Sequence, residues 1–335
     1  MPPENKAAAL PLLINWNITY RCNYYCAHCY SREETDNKSD SHTRRQILQK
    51  LIDYRIPFVN LGGGEPLLLH DLFDLVALAV ENGLKLTLSS NGSMIDAALA
   101  LKIKQSGLVK VEISLDGASA SSYQKLRNTA AGFARTISAI EHLRNSGNVV
   151  DISTVVNRWN WQELGEVIAL ARKMGVRKIS FHNYKCSGNG YLNRDELDLT
   201  PSQWREFYQW ILPLKESENG VIISVDDPIT AALQLPQQEK TVIKGSSCGK
   251  LSLRIKADGE ITPCGFIPKG IGNILTDDLK DIWDNSELLL KMRGKRPQGK
   301  CVSCKHYTDC LGGCTARALA VGGDVNAPDP HCWIE

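Results

Sequence analysis

Ten of the eleven cysteines in this 335-residue chain fall into two groups whose spacing suits metal chemistry. "CNYYCAHC" packs Cys22, Cys26 and Cys29 into eight residues, and seven more, from Cys248 to Cys332, follow Gly245. The total is odd, and the N-terminal "MPPENKAAALPLL" lacks a basic start leading into a sustained apolar segment. Neither a secretion signal nor a disulfide framework is therefore expected. Clustered thiols in a reducing compartment point to metal instead, and soft thiolates select iron–sulfur clusters, zinc or copper(I). A four-iron cubane and a structural zinc both take four ligands, and the first group supplies three. Three protein ligands on a cubane leave one iron open for a small molecule. The competing reading is zinc completed by His28, or three unrelated thiols; His28 lies between two of the cysteines, where simultaneous ligation is awkward.

The elements that must position these thiols show in the periodicity. From Leu12 to about Asn183, short apolar runs alternate with amphipathic helical stretches. Strands are expected at "LLINWNIT", "FVNLGG", "LKLTLSS", "LVKVEISLDG", "VVDISTVVN" and "VRKISFHN". Helices are expected at "TRRQILQKLIDYR", "DLFDLVALAVENG", "FARTISAIEHLRNSG" and "NWQELGEVIALARKMG". Gly83, Gly107, Gly147 and Gly175 stand where helix-ending glycines belong. Six strand–helix units make a parallel sheet curved toward a barrel, and the two further units of a complete eight-fold barrel are not found. The fold class is α/β: an open, partial (β/α)6 TIM-like barrel over residues 1–183. Its first strand ends at the cysteine group, on the face where barrels carry out their chemistry. Residues 184–245 read as a connector with a helix in "LTPSQWREFYQWI". Residues 246–335 turn to short segments, glycines and frequent cysteines. Such a tail cannot bury a large core by itself and should fold around metal, against the barrel.

On these residues the chain resembles the radical S-adenosylmethionine (SAM) enzymes, through the C-x3-C-x2-C spacing of Cys22, Cys26 and Cys29. The resemblance spans residues 12–183. It implies a [4Fe–4S] cluster whose fourth iron is chelated by the methionine part of SAM; one electron then cleaves SAM to a 5′-deoxyadenosyl radical, which abstracts hydrogen from substrate. It also implies SAM-binding roles at the strand ends. Gly63, Gly64 and Glu65 in "LGGGEPL" match the family's GGE motif, which holds the methionine amino group. Ser89 and Asn91 follow in "LTLSSNG", and Ser114 and Asp116 in "VEISLDG". Arg127 in "YQKLRNT" matches the arginine that reaches the SAM carboxylate. Taken singly, the same residues read as a tight loop, helix caps and a surface salt bridge.

The tail reads C-x10-G-x4-C, a gap, then C-x2-C-x5-C-x3-C-x17-C, and resembles the seven-cysteine signature of the SPASM domain. That resemblance implies two auxiliary [4Fe–4S] clusters, three in all with the SAM-binding one. The inner auxiliary cluster falls to Cys248, Cys264 and Cys314, and the outer one to Cys301, Cys304, Cys310 and Cys332. The inner set is one thiol short: its fourth position is open, filled by a non-cysteine group, or reached by Cys186. Cys186, in "NYKCSGNG", is also the candidate catalytic thiol, as a hydrogen-atom donor, or else a plain buried thiol. A zinc ribbon is the competing reading of the tail. His182 is expected in the core, and the aromatics of "WREFYQW" in helix packing.

Composition narrows the class further. Hydrophobic residues at 43% and charged residues at 23% are ordinary for a soluble protein, and a net charge of +2 gives no argument for nucleic acid or an anionic membrane. Apolar runs such as "LFDLVALAV" are too short to span a bilayer. The two resemblances together imply a cytoplasmic enzyme that modifies a ribosomally made precursor peptide by crosslinking, decarboxylation or backbone excision. An electron donor of flavodoxin or ferredoxin type would serve it. Because the first strand begins almost at once, a separate peptide-recognition protein is expected. Tetrapyrrole side-chain modification is the alternative, since "GDVNAPDPHCW" resembles that group too, and a non-catalytic metal-binding scaffold is the third reading. Sulfatase-maturating members carry aspartate directly after the Gly-x4-Cys cysteine; here Gly265 stands there, which disfavours that activity.

Overall fold

The strand that leads into the first cysteine group, β1 (Leu13–Thr19), buries Ile14, Trp16 and Ile18 and leaves Asn15 half-buried between them, the period-two pattern of a strand with one apolar side. In the computed structural model, which describes residues 8–31, 40–215, 220–233 and 244–335, five more strands follow. They are β2 (Phe58–Gly63), β3 (Lys85–Ser90), β4 (Lys110–Ser114), β5 (Val150–Val156) and β6 (Lys178–Asn183), each parallel to the one before it. Residues 1–7 of the N-terminal stretch and 234–243 of the connector lie outside the described residues. Parallel strands cannot be joined by hairpins, and the crossovers hold α1 (Ser41–Asp53), α2 (Leu72–Glu81), α3 (Ala97–Gln105), α4 (Ala120–Arg127), α5 (Gly132–Asn145) and α6 (Leu164–Lys173). Side chains start three of these helices. Asp40 accepts from Thr43 N at 2.7 Å, Asp96 accepts from Leu99 N at 2.8 Å, and Ser119 with Ser122 forms a capping box. The four glycines expected to end helices all have positive φ.

The sheet continues past the six expected strands. β7 (Ile222–Val225), from within the connector, adds in parallel to β6, and β8 (Ser252–Ile255), from within the cysteine-rich tail, adds in parallel to β1. β9 (Glu260–Thr262) and β10 (Gly272–Asn273) follow β8 antiparallel. The order β10-β9-β8-β1-β2-β3-β4-β5-β6-β7 has two ends, so the barrel is open. Three sequence segments thus share one sheet. In the connector, the helix Pro201–Lys215 buries Trp204, Phe207 and Tyr208, the packing role expected of them. His182 departs from the core reading: it is exposed, while its neighbour Phe181 is buried against Phe207 of that helix. No helix among the described residues is long and apolar enough to cross a membrane.

Candidate metal centres and cofactor site

The loop after β1 carries Cys22, Cys26 and Cys29 as free thiols, Cys26 buried and the other two half-buried. Burial pushes the Cys26 thiol up to about 11, opposed by Arg127 and reinforced by Cys29, Asp116 and Cys22. Burial also raises Cys22. Thiols this close cannot all ionise in a desolvated loop without a counter-charge, and a soft metal centre supplies one. Arg127 supplies part of it: its NH1 donates to Cys26 Sγ at 3.7 Å while Nε donates to Asp116 Oδ2 at 2.5 Å. Asp116 is fully buried and also accepts from Val155 N at 2.7 Å. His28 Nε2 lies 3.8 Å from the same carboxylate. Burial lowers the His28 pKa to about 4 in spite of Asp116, so the ring stays neutral.

The glycine loop closes β2 directly onto this cysteine loop. Gly64 N donates to Thr19 O at 2.7 Å, and Glu65 N donates to Arg21 O at 2.8 Å. A Cβ on Gly64 would stand 2.1 Å from Arg21 O, and one on Gly63, at φ +107, would stand 2.5 Å from Thr19 O. Only glycine allows that approach. The Glu65 carboxylate, matched to a motif that holds a ligand amino group, also accepts hydrogen bonds within the protein. It is 1% exposed; Oε1 accepts from Ser90 Oγ at 2.9 Å and Leu67 N at 3.2 Å, and Oε2 accepts from Asn91 N at 2.8 Å. Burial nonetheless raises its pKa against those hydrogen bonds. Asn91 Nδ2 donates to Asn23 Oδ1 at 2.9 Å, so the end of β3 clasps the cysteine loop. Ser89 Oγ donates to Asn60 Oδ1 at 3.1 Å, and Ser114 ends β4 half-buried. The expected cofactor residues thus gather from the C-terminal ends of β2, β3 and β4 and from α4.

In the tail, all four outer cysteines, Cys301, Cys304, Cys310 and Cys332, line one small pocket together with Tyr307 and Asp329. Lys295 Nζ and Tyr307 OH are buried with no hydrogen-bond partner among the described residues. Buried donors without an acceptor are rare, and a thiolate-held, sulfide-bearing cluster would supply one. Of the inner set, Cys248 and Cys264 are hydrogen-bonded to each other, and the charge of Cys314 acts on Cys264. Among the described residues, no three His, Cys, Asp or Glu side chains converge on a point that would suit a single ion; a cubane spreads its ligands over several irons and needs no such point. Cys186 Sγ lies 3.9 Å from Asp198 Oδ2, and burial pushes its thiol up to about 11. The charges acting on it belong to Asp198, Arg194 and Arg317.

Barrel and tail meet at Tyr30, the residue after Cys29. Its ring centroid lies 5.0 Å from that of Phe266, and a Cβ on Gly265 would stand 3.3 Å from the Tyr30 ring. Arg254 of β8, 2% exposed, lies over the Tyr30 ring at 5.3 Å. From the connector, Asn189 Nδ2 donates to Cys26 O at 3.0 Å and Asn193 Nδ2 to Ala27 O at 2.9 Å. Arg317, 1% exposed, joins Asp227 to Asp329, whose Oδ2 accepts from Cys314 N at 2.7 Å. Sequence reading missed Arg254, Arg317, Lys295 and both asparagines, because none belongs to a spaced motif. Tyr30, adjacent to Cys29, and Asn189, within "NYKCSGNG", stood near a signal.

Comparison with known proteins decides the family. The pattern of the radical SAM superfamily matches residues 16–171, and that of the SPASM iron–sulfur cluster-binding domain matches residues 247–310. Over 329 residues the chain is 31% identical to the mycofactocin maturase MftC of Mycobacterium ulcerans, covering 96% of this chain and 88% of that protein. The chain belongs to the radical SAM superfamily. This radical SAM protein is also 27% identical over 340 residues to the AdoMet-dependent heme synthase of Methanosarcina barkeri, covering 96% of each. Among solved structures, Streptococcus suis SuiB bound to S-adenosylmethionine aligns with a TM-score of 0.78 at 19% identity, over 97% of this chain and 78% of that one, a likeness of fold. The radical SAM chain is therefore an enzyme with a SAM-binding barrel and an iron–sulfur-binding tail, and the zinc-ribbon reading of the tail gives way.

Proposed function

We propose that this enzyme cleaves SAM reductively and uses the 5′-deoxyadenosyl radical to abstract hydrogen from a ribosomally made precursor peptide, leaving an oxidative modification such as a crosslink, a decarboxylation or a backbone excision. The similarity to the mycofactocin maturase along nearly the whole chain carries this reading. The donor sets fit three [4Fe–4S] clusters: Cys22, Cys26 and Cys29; Cys248, Cys264 and Cys314; Cys301, Cys304, Cys310 and Cys332. When bound, the clusters and SAM supply one-electron cleavage at the barrel and an acceptor for the substrate's electron in the tail.

The chain's own residues hold these groups in place. Arg127 orients the Cys26 sulfur and offsets its charge, and Asp116 fixes the guanidinium. Glu65 ties β2 to β3 through Ser90 and Asn91, so the backbone of Gly63 and Gly64 is presented rigidly beside the cysteine loop. Ser89 and Ser114 offer hydroxyls at neighbouring strand ends. Asn189 and Asn193 occupy loop carbonyls that would otherwise take water. Cys186, kept protonated by burial beside Asp198, suits hydrogen-atom donation better than nucleophilic attack. Residues 1–183 serve as the SAM-binding barrel, 184–245 as the connector and 246–335 as the two-cluster domain, with β7 and β8 lent to the barrel's sheet. A flavodoxin- or ferredoxin-type donor and a separate peptide-recognition protein complete the system in the cytoplasm.

The test is anaerobic reconstitution with iron and sulfide, reduction, and addition of SAM with a precursor peptide encoded beside this protein. Formation of 5′-deoxyadenosine with a changed peptide mass is expected. Absence of 5′-deoxyadenosine overturns the enzyme reading in favour of a scaffold. An unchanged peptide, with side-chain modification of a tetrapyrrole supplied instead, moves the substrate to the tetrapyrrole class, which the similarity to the heme synthase over 96% of its length favours as the second reading.

A further inference from the structure

Lys295 Nζ is buried beside Gly312, a glycine between Cys310 of the outer set and Cys314 of the inner one, with nothing among the described residues to accept its protons. Its Nζ has no hydrogen-bond partner among the described residues, and a Cβ on Gly312, in the turn between Cys310 and Cys314, would lie 3.4 Å from it. Burial lowers its pKa, opposed by the charges of Asp329, Cys314, Cys310 and Cys301. Asp329 already accepts from Arg317 Nε at 2.8 Å, Cys314 N at 2.7 Å and His331 N at 3.0 Å, so its carboxylate is committed elsewhere. The three thiols divide between the two sets, Cys314 in the inner one and Cys301 and Cys310 in the outer. For that nitrogen to stay an ammonium with three donors, a negative group must sit beside it; otherwise burial would strip its proton. Tyr307, whose ring would lie 3.8 Å from the same Gly312 Cβ, also has a buried OH without a hydrogen-bond partner among the described residues.

We propose that Lys295 is a positioning residue shared by the two auxiliary clusters: its ammonium lies between them, donates toward the sulfurs of both, and raises both reduction potentials. The inference rests on the reading that these seven cysteines hold iron–sulfur clusters. A positive charge close to a cluster, and hydrogen bonds to its sulfurs, favour the reduced form, which carries one more negative charge. One residue thereby keeps two electron acceptors poised together. Nothing in the seven-cysteine spacing points to it, because the residue that does this is not a ligand.

The test uses the full chain, reconstituted anaerobically, in the C22A/C26A/C29A background so that the auxiliary clusters alone contribute. EPR-monitored redox titration is read for the parent, K295M, K295Q and K295R, with iron content measured on each. At a fixed poise, K295M and K295Q should lower the reduced-to-oxidised ratio of both clusters at least tenfold, which for a one-electron couple is 59 mV, and K295R should recover most of it. If K295M loads less iron, K295Q, which keeps a donor amide without the charge, is read in its place. Parent-like midpoints in the neutral variants overturn the inference, as does a shift confined to one cluster. A parent that binds no auxiliary iron removes the reading on which the inference rests, and the iron assay separates that failure from an unshifted potential.

Discussion

Three consecutive glycines, Gly62, Gly63 and Gly64, end β2, and the structure assigns them unequal importance. A methyl group on Gly64 would stand 2.1 Å from Arg21 O and 2.7 Å from the carbon of the same carbonyl. Carbon and carbonyl oxygen approach no closer than about 3.3 Å even in favourable C–H···O contacts, so Gly64→Ala must push Arg21 back by about 1 Å. Arg21 precedes Cys22, and its carbonyl also accepts from Glu65 N, so the shift passes straight into the cysteine loop. A misplacement of about 1 Å at a reacting centre costs about 100-fold in rate. A methyl group on Gly62 meets nothing closer than 3.6 Å, at Asn60 Nδ2. In an anaerobic assay of 5′-deoxyadenosine formation at saturating reductant, Gly64→Ala should therefore lose about two orders of magnitude, with auxiliary iron retained, while Gly62→Ala stays near the parent rate. A Gly64→Ala enzyme at the parent rate, or a Gly62→Ala enzyme equally impaired, would refute the claim that β2 positions the cysteine loop by backbone contact.

Two further outcomes follow from buried charge. Arg127→Gln leaves Asp116 fully buried without its cation, which should cost about 3 kcal/mol in anaerobic urea unfolding; adding Asp116→Asn should restore at least half of that loss, and strict additivity of the two changes would count against the pairing. Arg317→Met strands both Asp227 and Asp329 and should cost about 3–5 kcal/mol, with auxiliary iron lost ahead of barrel iron on mild chelation; a loss below about 1 kcal/mol would mean that the network adds little.

The barrel strands were legible because their signal is local. β2, for instance, is the "FVNLGG" run itself, and β1 to β6 each combine an apolar alternation with a helix-ending glycine or a turn nearby. The cysteine groups were legible for the same reason, since their spacing lies within short stretches. What escaped is what tertiary pairing creates. β8 is four residues long, and its partner β1 lies more than two hundred positions earlier, so no window along the chain contains both. Glu65 fits a ligand-binding motif by position, and the hydrogen bonds it accepts from the end of β3 arise only in the fold. Asp116 and Arg127 are close in sequence, but Cys26, the thiol to which Arg127 donates, is far from both. His182 was expected in the core as part of an apolar strand; the strand's alternation turns it away from the side that buries Phe181.

The ladder between β1 and β8 has a consequence for how electrons and polypeptide are managed. A strand that runs into the first cysteine loop is stitched, residue for residue, to a strand of the cysteine-rich tail. The gap between those two sulfur populations is therefore set by interstrand spacing, much as a machined shim sets a clearance, and not by a tether free to wander. Trimming the chain ahead of β8 would bare the flank of β1 from Leu13 to Trp16, an unpaired edge of the kind that invites another strand.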